Sequence, residues 1–224
     1  MHSLFLVRHA ECYKNIRDEH GGKGDILTEK GKKQLSSLSK NIKHIIALQR
    51  ISITVLFYSN TIQAVQTAEY LSKKLKVPLR VDERIAPLNL GLLAGLSSEE
   101  ATTKFPEAES RIEKWRAGKL EIRDLCLPDA ENFDIFWNRG QSFITELTKE
   151  RTSAIVVGSR STLILLMNML LYRNPYVNGE YHPWNFACAS FACFSYANEW
   201  NLTYAKDVQT VDGKAPNASG EDKN

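Results

Sequence analysis

The chain has few of the features that mark membrane, secreted or nucleic-acid-binding proteins. No apolar run approaches the roughly 18 residues that cross a bilayer. The N-terminus, MHSLFLVRH, leads at once into a predicted strand, so we expect no signal peptide. The formal charge is only +3, with 29 basic residues dispersed among 26 acidic ones, too weak a bias to indicate nucleic acid. We therefore expect a cytoplasmic protein with neither a membrane nor a nucleic-acid partner.

Cysteine is also scarce, and its spacing argues against a disulfide framework. The chain has four cysteines, none in a CxxC pair, so we interpret them as free thiols or core residues. Of the 224 residues, 43% are hydrophobic, enough for one large core. We expect a single domain over residues 1–207, with a helical insertion at about 98–150. The remainder, 208–224, lacks apolar periodicity and is predicted to be a disordered tail.

The most informative stretch is LFLVRHAECYKN, residues 4–15. Its first four residues are apolar, and the run stops at Arg8 and His9. Such a run is typical of a strand buried on both faces, as in a parallel sheet covered by helices. Ligands of open α/β sheets bind beyond the carboxyl ends of these strands. Arg8 and His9 would then meet a small anionic ligand; the alternative is an ordinary strand end with two solvated polar residues.

Periodicity places the other main elements. Strands are predicted at 51–58, 79–81 and 153–158, and a terminal hairpin at 188–196 and 199–205. Helices are predicted after Thr28 and at 61–74, 133–148 and 162–171. Aromatic residues of the helix at 133–148 are expected in the core, although the insertion that contains them could also cover the strand ends.

Several stretches resemble one known family. They are LVRHAE at 6–11, DILTEKGKKQ at 25–34, FYSNTIQAVQTAEYLS at 57–72, ERIAPLNLGLLAG at 83–95 and AIVVGSRSTL at 154–163. In this order they resemble the histidine phosphatase superfamily, in its phosphoglycerate-mutase-like branch. The resemblance implies an α/β fold, a three-layer α/β/α sandwich around a mostly parallel sheet. It also implies phosphoryl transfer through a histidine, without a cofactor or a metal ion.

Three of the family's working residues are kept. The resemblance implies that His9 is the phosphoryl acceptor, that Arg8 binds the phosphate and that Asn15 donates another hydrogen bond to it. Phosphate-ester hydrolysis of this kind needs an unprotonated imidazole nitrogen, donors to the phosphoryl oxygens and an acid for the leaving alcohol. A departure is Ala10, where the family usually has glycine.

Three other working residues are replaced. Gln63 stands where the resemblance implies a second arginine, and its neutral amide donates hydrogen bonds without supplying charge. Pro87 stands at the place of the proton-donating glutamate and has no titratable group. Ser159 stands at the place of a second histidine and cannot supply an imidazolium. We therefore expect Gln63 and Ser159 to contact the phosphate, but more weakly than the residues they replace.

Neighbouring side chains offer possible replacements. Arg160 could swing toward the same anion, and Glu83 or Glu99 could supply a proton. His20 and His182 are spare imidazoles. The simpler interpretation places each of these on the surface.

Three functional hypotheses follow. The first, which we favour, is a pseudo-phosphatase that binds a small phosphorylated or anionic ligand, or a protein partner, with weak or no turnover. The second is an active but atypical enzyme that uses His9 with a rebuilt pocket. The third is a structural subunit with an unused pocket. Under each, the chain could form a homo-oligomer.

Overall fold

The computed structural model describes residues 2–216, and within them the strands form one six-stranded sheet. The strands are β1 (His2–Arg8), β2 (Val55–Tyr58), β3 (Leu79–Val81), β4 (Ala154–Gly158), β5 (Asn185–Tyr196) and β6 (Trp200–Gln209). Their order across the sheet is β3-β2-β4-β1-β5-β6. The first four in the chain are parallel, whereas β5 pairs antiparallel with both β1 and β6. The predicted mostly parallel sheet is confirmed.

Helices cover both faces of this sheet. They are α1 (Tyr13–Ile16), α2 (Glu29–Leu48), α3 (Ile62–Leu75), α4 (Ser98–Lys104), α5 (Pro106–Arg116), α6 (Phe133–Glu150) and α7 (Arg160–Leu170). Along β1, Leu4 and Leu6 pack with residues of α6 and α7, whereas Phe5 and Val7 pack with α2 and α3. This alternation explains the continuous apolar run, because both faces of the strand are buried. The three-layer α/β/α architecture is confirmed.

The helices of the 98–150 segment are attached to the core by aromatic side chains. Ser97 caps α4, and Glu100 completes a reciprocal capping box with it. On α6, Phe143 is fully buried and meets Phe57 of β2 edge to face, with ring centroids 5.2 Å apart. This packing fixes α6 against the sheet at β2.

Two predicted boundaries are wrong. The strand predicted at 51–58 is paired only from Val55, because the preceding residues lie outside the sheet's ladder. The tail predicted from residue 208 begins too early, because Val208 pairs with Phe186 and is buried. Residues 217–224 of that predicted tail lie outside the described residues. None of the helices in the described part of the chain combines the length and apolarity that a bilayer crossing needs.

Candidate active site

A cavity of about 280 Å³ lies at the carboxyl ends of β1 and β4, the edge where α/β sheets place ligands. All six residues predicted at the site line it. They are Arg8, His9, Asn15, Gln63, Ser159 and Arg160. They come from the end of β1, from α1, from the first turn of α3 and from the β4–α7 junction. The sheet and its connections therefore bring distant parts of the chain to one cavity.

The imidazole of His9 is held in one orientation and one tautomer. Its ring is buried, and Nδ1 lies 2.8 Å from the carbonyl oxygen of Ala10. A carbonyl oxygen can only accept, so Nδ1 carries the proton and Nε2 has a free lone pair. Burial, and then the charge of Arg8, lowers the pKa of His9 from 6.5 to about 3. His9 is therefore neutral near pH 7, the state that a phosphoryl acceptor requires.

Arg8 and Asn15 each present a donor beside this imidazole. Arg8 donates from Nη1 to the carbonyl of Phe186, which fixes the guanidinium, while its buried Nε has no hydrogen-bond partner within residues 2–216. The Oδ1 atom of Asn15 accepts from the backbone N–H of Cys12 at 3.1 Å. That contact assigns Oδ1 to the loop and leaves the Nδ2 donor of Asn15 available at the cavity.

Gln63 is a buried, hydrogen-bonded residue of the cavity wall. It is buried in the first turn of α3, and its Oε1 accepts from the backbone N–H of Asp25 at 3.2 Å. Gly24 makes this contact possible, since a Cβ there would lie 1.9 Å from Gln63 Oε1. With Oε1 engaged, Nε2 is the group left to donate to an anion.

Ser159 and Pro87 occupy the remaining predicted positions. Ser159 precedes α7, and its Oγ lies 3.2 Å from Ser161 Oγ and 3.3 Å from Thr162 Oγ1. This hydroxyl group can donate one hydrogen bond. Pro87 lines the same cavity with a side chain that has no ionisable group. Ser159 and Pro87 thus line the cavity at the two positions where the resemblance implies a histidine and a glutamate.

Arg160 lines the cavity and supplies an unpaired cation. In the described part of the chain its guanidinium forms no hydrogen bond or ion pair. Burial, followed by the charges of Arg8 and Arg116, lowers the pKa of Arg160 to about 10. It stays protonated near pH 7, and a bound anion would relieve the repulsion among these guanidinium groups. The expectation that Arg160 is a surface residue is wrong in part, because it is half-buried.

Two further cations were not predicted from the sequence. Lys14 lines the cavity, where burial lowers its pKa, and its Nζ donates to the carbonyl of Gly21. Arg116, at the end of α5, also lines it. The position of Lys14, one residue before Asn15, was an available signal. Nothing in the local pattern around Arg116 separates it from the solvated charges of the same helix.

A buried network orients Arg116. His20 Nε2 lies 2.6 Å from Glu109 Oε2, and Arg116 Nη2 lies 3.1 Å from His20 Nδ1. Since Arg116 can only donate, Nδ1 accepts and the proton of His20 is on Nε2. Burial lowers the pKa of His20. The interpretation of His20 as a surface residue is therefore wrong: it is 1% exposed and connects α5 to the cavity.

The carboxylates on the wall are Asp18 and Glu19. Asp18 accepts from Ser98 Oγ at 2.8 Å, and Glu19 forms an ion pair with Arg17. Glu83 and Glu99, considered as replacement acids, are exposed and outside the wall. His182 is also outside it and stacks on Trp184. Among residues 2–216, no cluster of three histidine, cysteine or acidic side chains is arranged to hold a metal ion.

Comparisons with known proteins identify the family of this chain. A family model described as the histidine phosphatase superfamily (branch 1) matches residues 4–204. A probable phosphatase of Schizosaccharomyces pombe is 30% identical over 174 residues, 76% of this chain and 57% of that protein. Phosphoserine phosphatase 1 of Hydrogenobacter thermophilus is 28% identical over 158 residues, 70% of this chain and 69% of that protein. The chain thus spans little more than half the length of the yeast relative.

Solved structures show the same fold. The α-ribazole phosphatase of Shigella flexneri superposes with a TM-score of 0.73 at 17% identity, covering 92% of this chain and 96% of that one. A mycobacterial glucosyl-3-phosphoglycerate phosphatase superposes with a TM-score of 0.72 at 19% identity, covering 91% of this chain and 98% of that one. At these identities the likeness concerns the fold alone.

The low pKa of His9 makes stability depend on pH. Below pH 6.5 the unfolded chain protonates this imidazole and the folded chain does not until about pH 3, so stability falls as the pH is lowered between these values. The free energy of unfolding, measured with urea, should fall between pH 7 and pH 4 less steeply for His9→Gln than for the wild type. The difference in slope should be up to about 1.4 kcal/mol per pH unit. The exposed His44 provides the control, because His44→Gln should keep the wild-type slope. Equal slopes for His9→Gln and the wild type would contradict a buried neutral His9.

Proposed function

Because the chain belongs to branch 1 of the histidine phosphatase superfamily, we propose that it binds a phosphate-bearing ligand at His9 with weak or no turnover. Binding is supported by the donors around the imidazole: Arg8, Asn15 and Arg160 line one cavity with it. Charged, preorganised donors of this kind bind phosphoryl oxygens strongly.

The observation that carries the proposal is that the carboxylates on the described wall, Asp18 and Glu19, are engaged by other side chains, and that no acid stands at position 87. Pro87 lies where the resemblance implies the proton donor, and Asp18 and Glu19 already have partners. Loss of a general acid typically lowers the rate by about 100- to 10,000-fold. Replacement of a charged donor by Gln63 adds a further loss, although such effects are not additive. Alcohol leaving groups should therefore depart slowly.

A small ligand fits the site better than a protein partner does. The cations Arg8, Lys14, Arg116 and Arg160 line a cavity of about 280 Å³ rather than an exposed surface. Cavities with a few convergent polar groups are typical of small-molecule sites.

A second candidate is an active, atypical phosphatase that uses His9 as phosphoryl acceptor. It is favoured by the free Nε2 of His9 and by the contact of Nδ1 with Ala10, which together meet the requirements of a nucleophile. In that case Arg116 and Arg160 would supply the charge that Gln63 and Ser159 lack.

Phosphate binding and ester hydrolysis together test the proposal. We expect calorimetry to detect inorganic phosphate binding and Arg160→Gln to weaken it about tenfold, since a charge-assisted hydrogen bond is lost. Arg50→Gln, which changes an exposed arginine after α2, should bind like the wild type. Over a broad panel of phosphate esters, turnover should stay far below about one per second, the ordinary enzyme range.

Two results would contradict this account. Turnover of about one per second that is lost in His9→Ala would favour the active enzyme. A wild-type protein that binds neither phosphate nor vanadate would favour an unused pocket.

Restoring the acid provides an independent test. Pro87→Glu places a carboxyl group on the wall, and Pro87→Gln is a control with the same side-chain shape and no titratable proton. If the missing acid limits the rate, alkyl phosphate hydrolysis should be at least about tenfold faster in Pro87→Glu than in Pro87→Gln. Equal rates in the two variants would show that another step limits turnover.

A further inference from the structure

A second cavity, of about 300 Å³, adjoins the first. Trp115, Arg116 and Arg160 belong to the walls of both. Beyond these shared residues the second cavity is lined by Trp184, before β5, by Gln209 at the end of β6, and by Thr210, Val211 and Gly213 after it. One molecule whose phosphoryl group lies at His9 can therefore extend past the two arginines into this space.

Two buried donors in this wall have no partner. Trp115 is 7% exposed and Trp184 is 4% exposed, and the Nε1 atom of each is buried without a hydrogen bond in the described part of the chain. Arg116 Nε is in the same state. Buried polar groups in folded proteins are nearly always hydrogen-bonded, so unsatisfied ones indicate a missing partner. The three residues that carry these donors line one cavity, and a ligand whose acceptors reach the buried nitrogens would satisfy them.

The remaining wall residues define the body of that ligand. Ile164, Pro183 and Val211 are apolar, and the two indole rings add aromatic surface. Asn185, Gln209 and Thr210 add uncharged polar groups, and within residues 2–216 the wall contains no carboxylate. A wall that mixes aromatic surface with hydrogen-bonding groups suits a planar group that carries an oxygen acceptor.

The segment that closes this cavity is ordered by its own hydrogen bonds. The backbone N–H of Thr210 donates to the carbonyl of Lys214 at 2.8 Å, and that of Gly213 donates to the carbonyl of Thr210 at 3.0 Å. On the other side, the side chain of Asn168 fixes the backbone of His182. Asn168 Nδ2 donates to the carbonyl of His182, and the backbone N–H of His182 donates to Asn168 Oδ1, both at 2.9 Å. Trp184 is thus fixed on one side and the 209–213 turn on the other.

We propose that this second cavity binds the alcohol part of the ligand, an aryl or heterocyclic group bearing a carbonyl-type oxygen that accepts from the indole N–H groups. The proposal rests on the proposed function, because it assumes that the phosphoryl group of the same molecule lies at His9.

The test uses benzylphosphonates, whose carbon–phosphorus bond the chemistry at His9 does not cleave. The para and meta isomers of acetylbenzylphosphonate carry the acceptor, and the isopropyl analogues have the same shape without it. By calorimetry, the better acetyl isomer should bind the wild type about tenfold more tightly than its isopropyl analogue. Trp184→Phe, which keeps an aromatic ring but removes the N–H, should reduce this ratio, and the double variant that also carries Trp115→Phe should bring it to about one.

Control variants separate recognition from misfolding. Trp137→Phe changes a tryptophan outside both cavities and should keep the tenfold ratio. The thermal midpoint of Trp184→Phe should match or exceed that of the wild type, because the substitution removes an unsatisfied donor. Val211→Trp, at a position 50% exposed, should fill the cavity and weaken both benzylphosphonates relative to inorganic phosphate.

The outcomes distinguish the two proposals. Phosphate binding without any preference for the acetyl probes would overturn the second-cavity proposal alone. So would an undiminished preference in the double variant that carries Trp115→Phe and Trp184→Phe. A wild-type protein that binds no phosphate would overturn the proposed function, and the second-cavity proposal with it.

Discussion

The hydrogen bond from His9 Nδ1 to the carbonyl oxygen of Ala10 is the contact on which the chemistry of the site depends. At 2.8 Å it fixes which nitrogen carries the proton, and so leaves a free lone pair on Nε2. The backbone supports this geometry, since His9 N donates to Gly158 on β4 and Ala189 N donates to the carbonyl of His9. The residue after β1 is thus held between the neighbouring strands, and the central position of β1 in the sheet explains why His9 is so deeply buried.

Burial at this position has an electrostatic consequence. Arg8, Lys14, Arg116 and Arg160 converge on one cavity, and burial lowers the pKa values of Lys14 and Arg160 with help from their cationic neighbours. Like charges at short distance raise the electrostatic free energy of the empty site. A bound anion with several oxygens offsets that repulsion. This arrangement of cations supports the proposal that the cavity binds phosphate. The proposal of weak turnover depends on Pro87, which lines the wall where the resemblance implies an acid.

Local sequence patterns were sufficient to predict the central strand of the site and several of the residues that line it. The apolar run before Arg8 predicted a doubly covered strand, and the resemblance aligned Gln63 and Ser159 with positions that do line the cavity. The remaining wall residues depend on long-range packing. His20 is buried only because Glu109 approaches from α5, a pairing that no sequence spacing encodes. Likewise, Val208 belongs to β6 because it meets Phe186 across the hairpin, although the surrounding residues lack strand periodicity.

The most direct test of this account is a crystal structure of the full chain grown with inorganic phosphate. The account predicts a phosphate whose phosphorus lies about 3–3.5 Å from His9 Nε2, the distance of a near-attack geometry. Its oxygens should accept from Arg8, Asn15, Gln63 and Arg160, and no carboxyl group should face the position of the leaving oxygen. A phosphate bound away from His9, or an acidic side chain beside that leaving oxygen, would contradict the claim that the acceptor is kept and the proton donor lost.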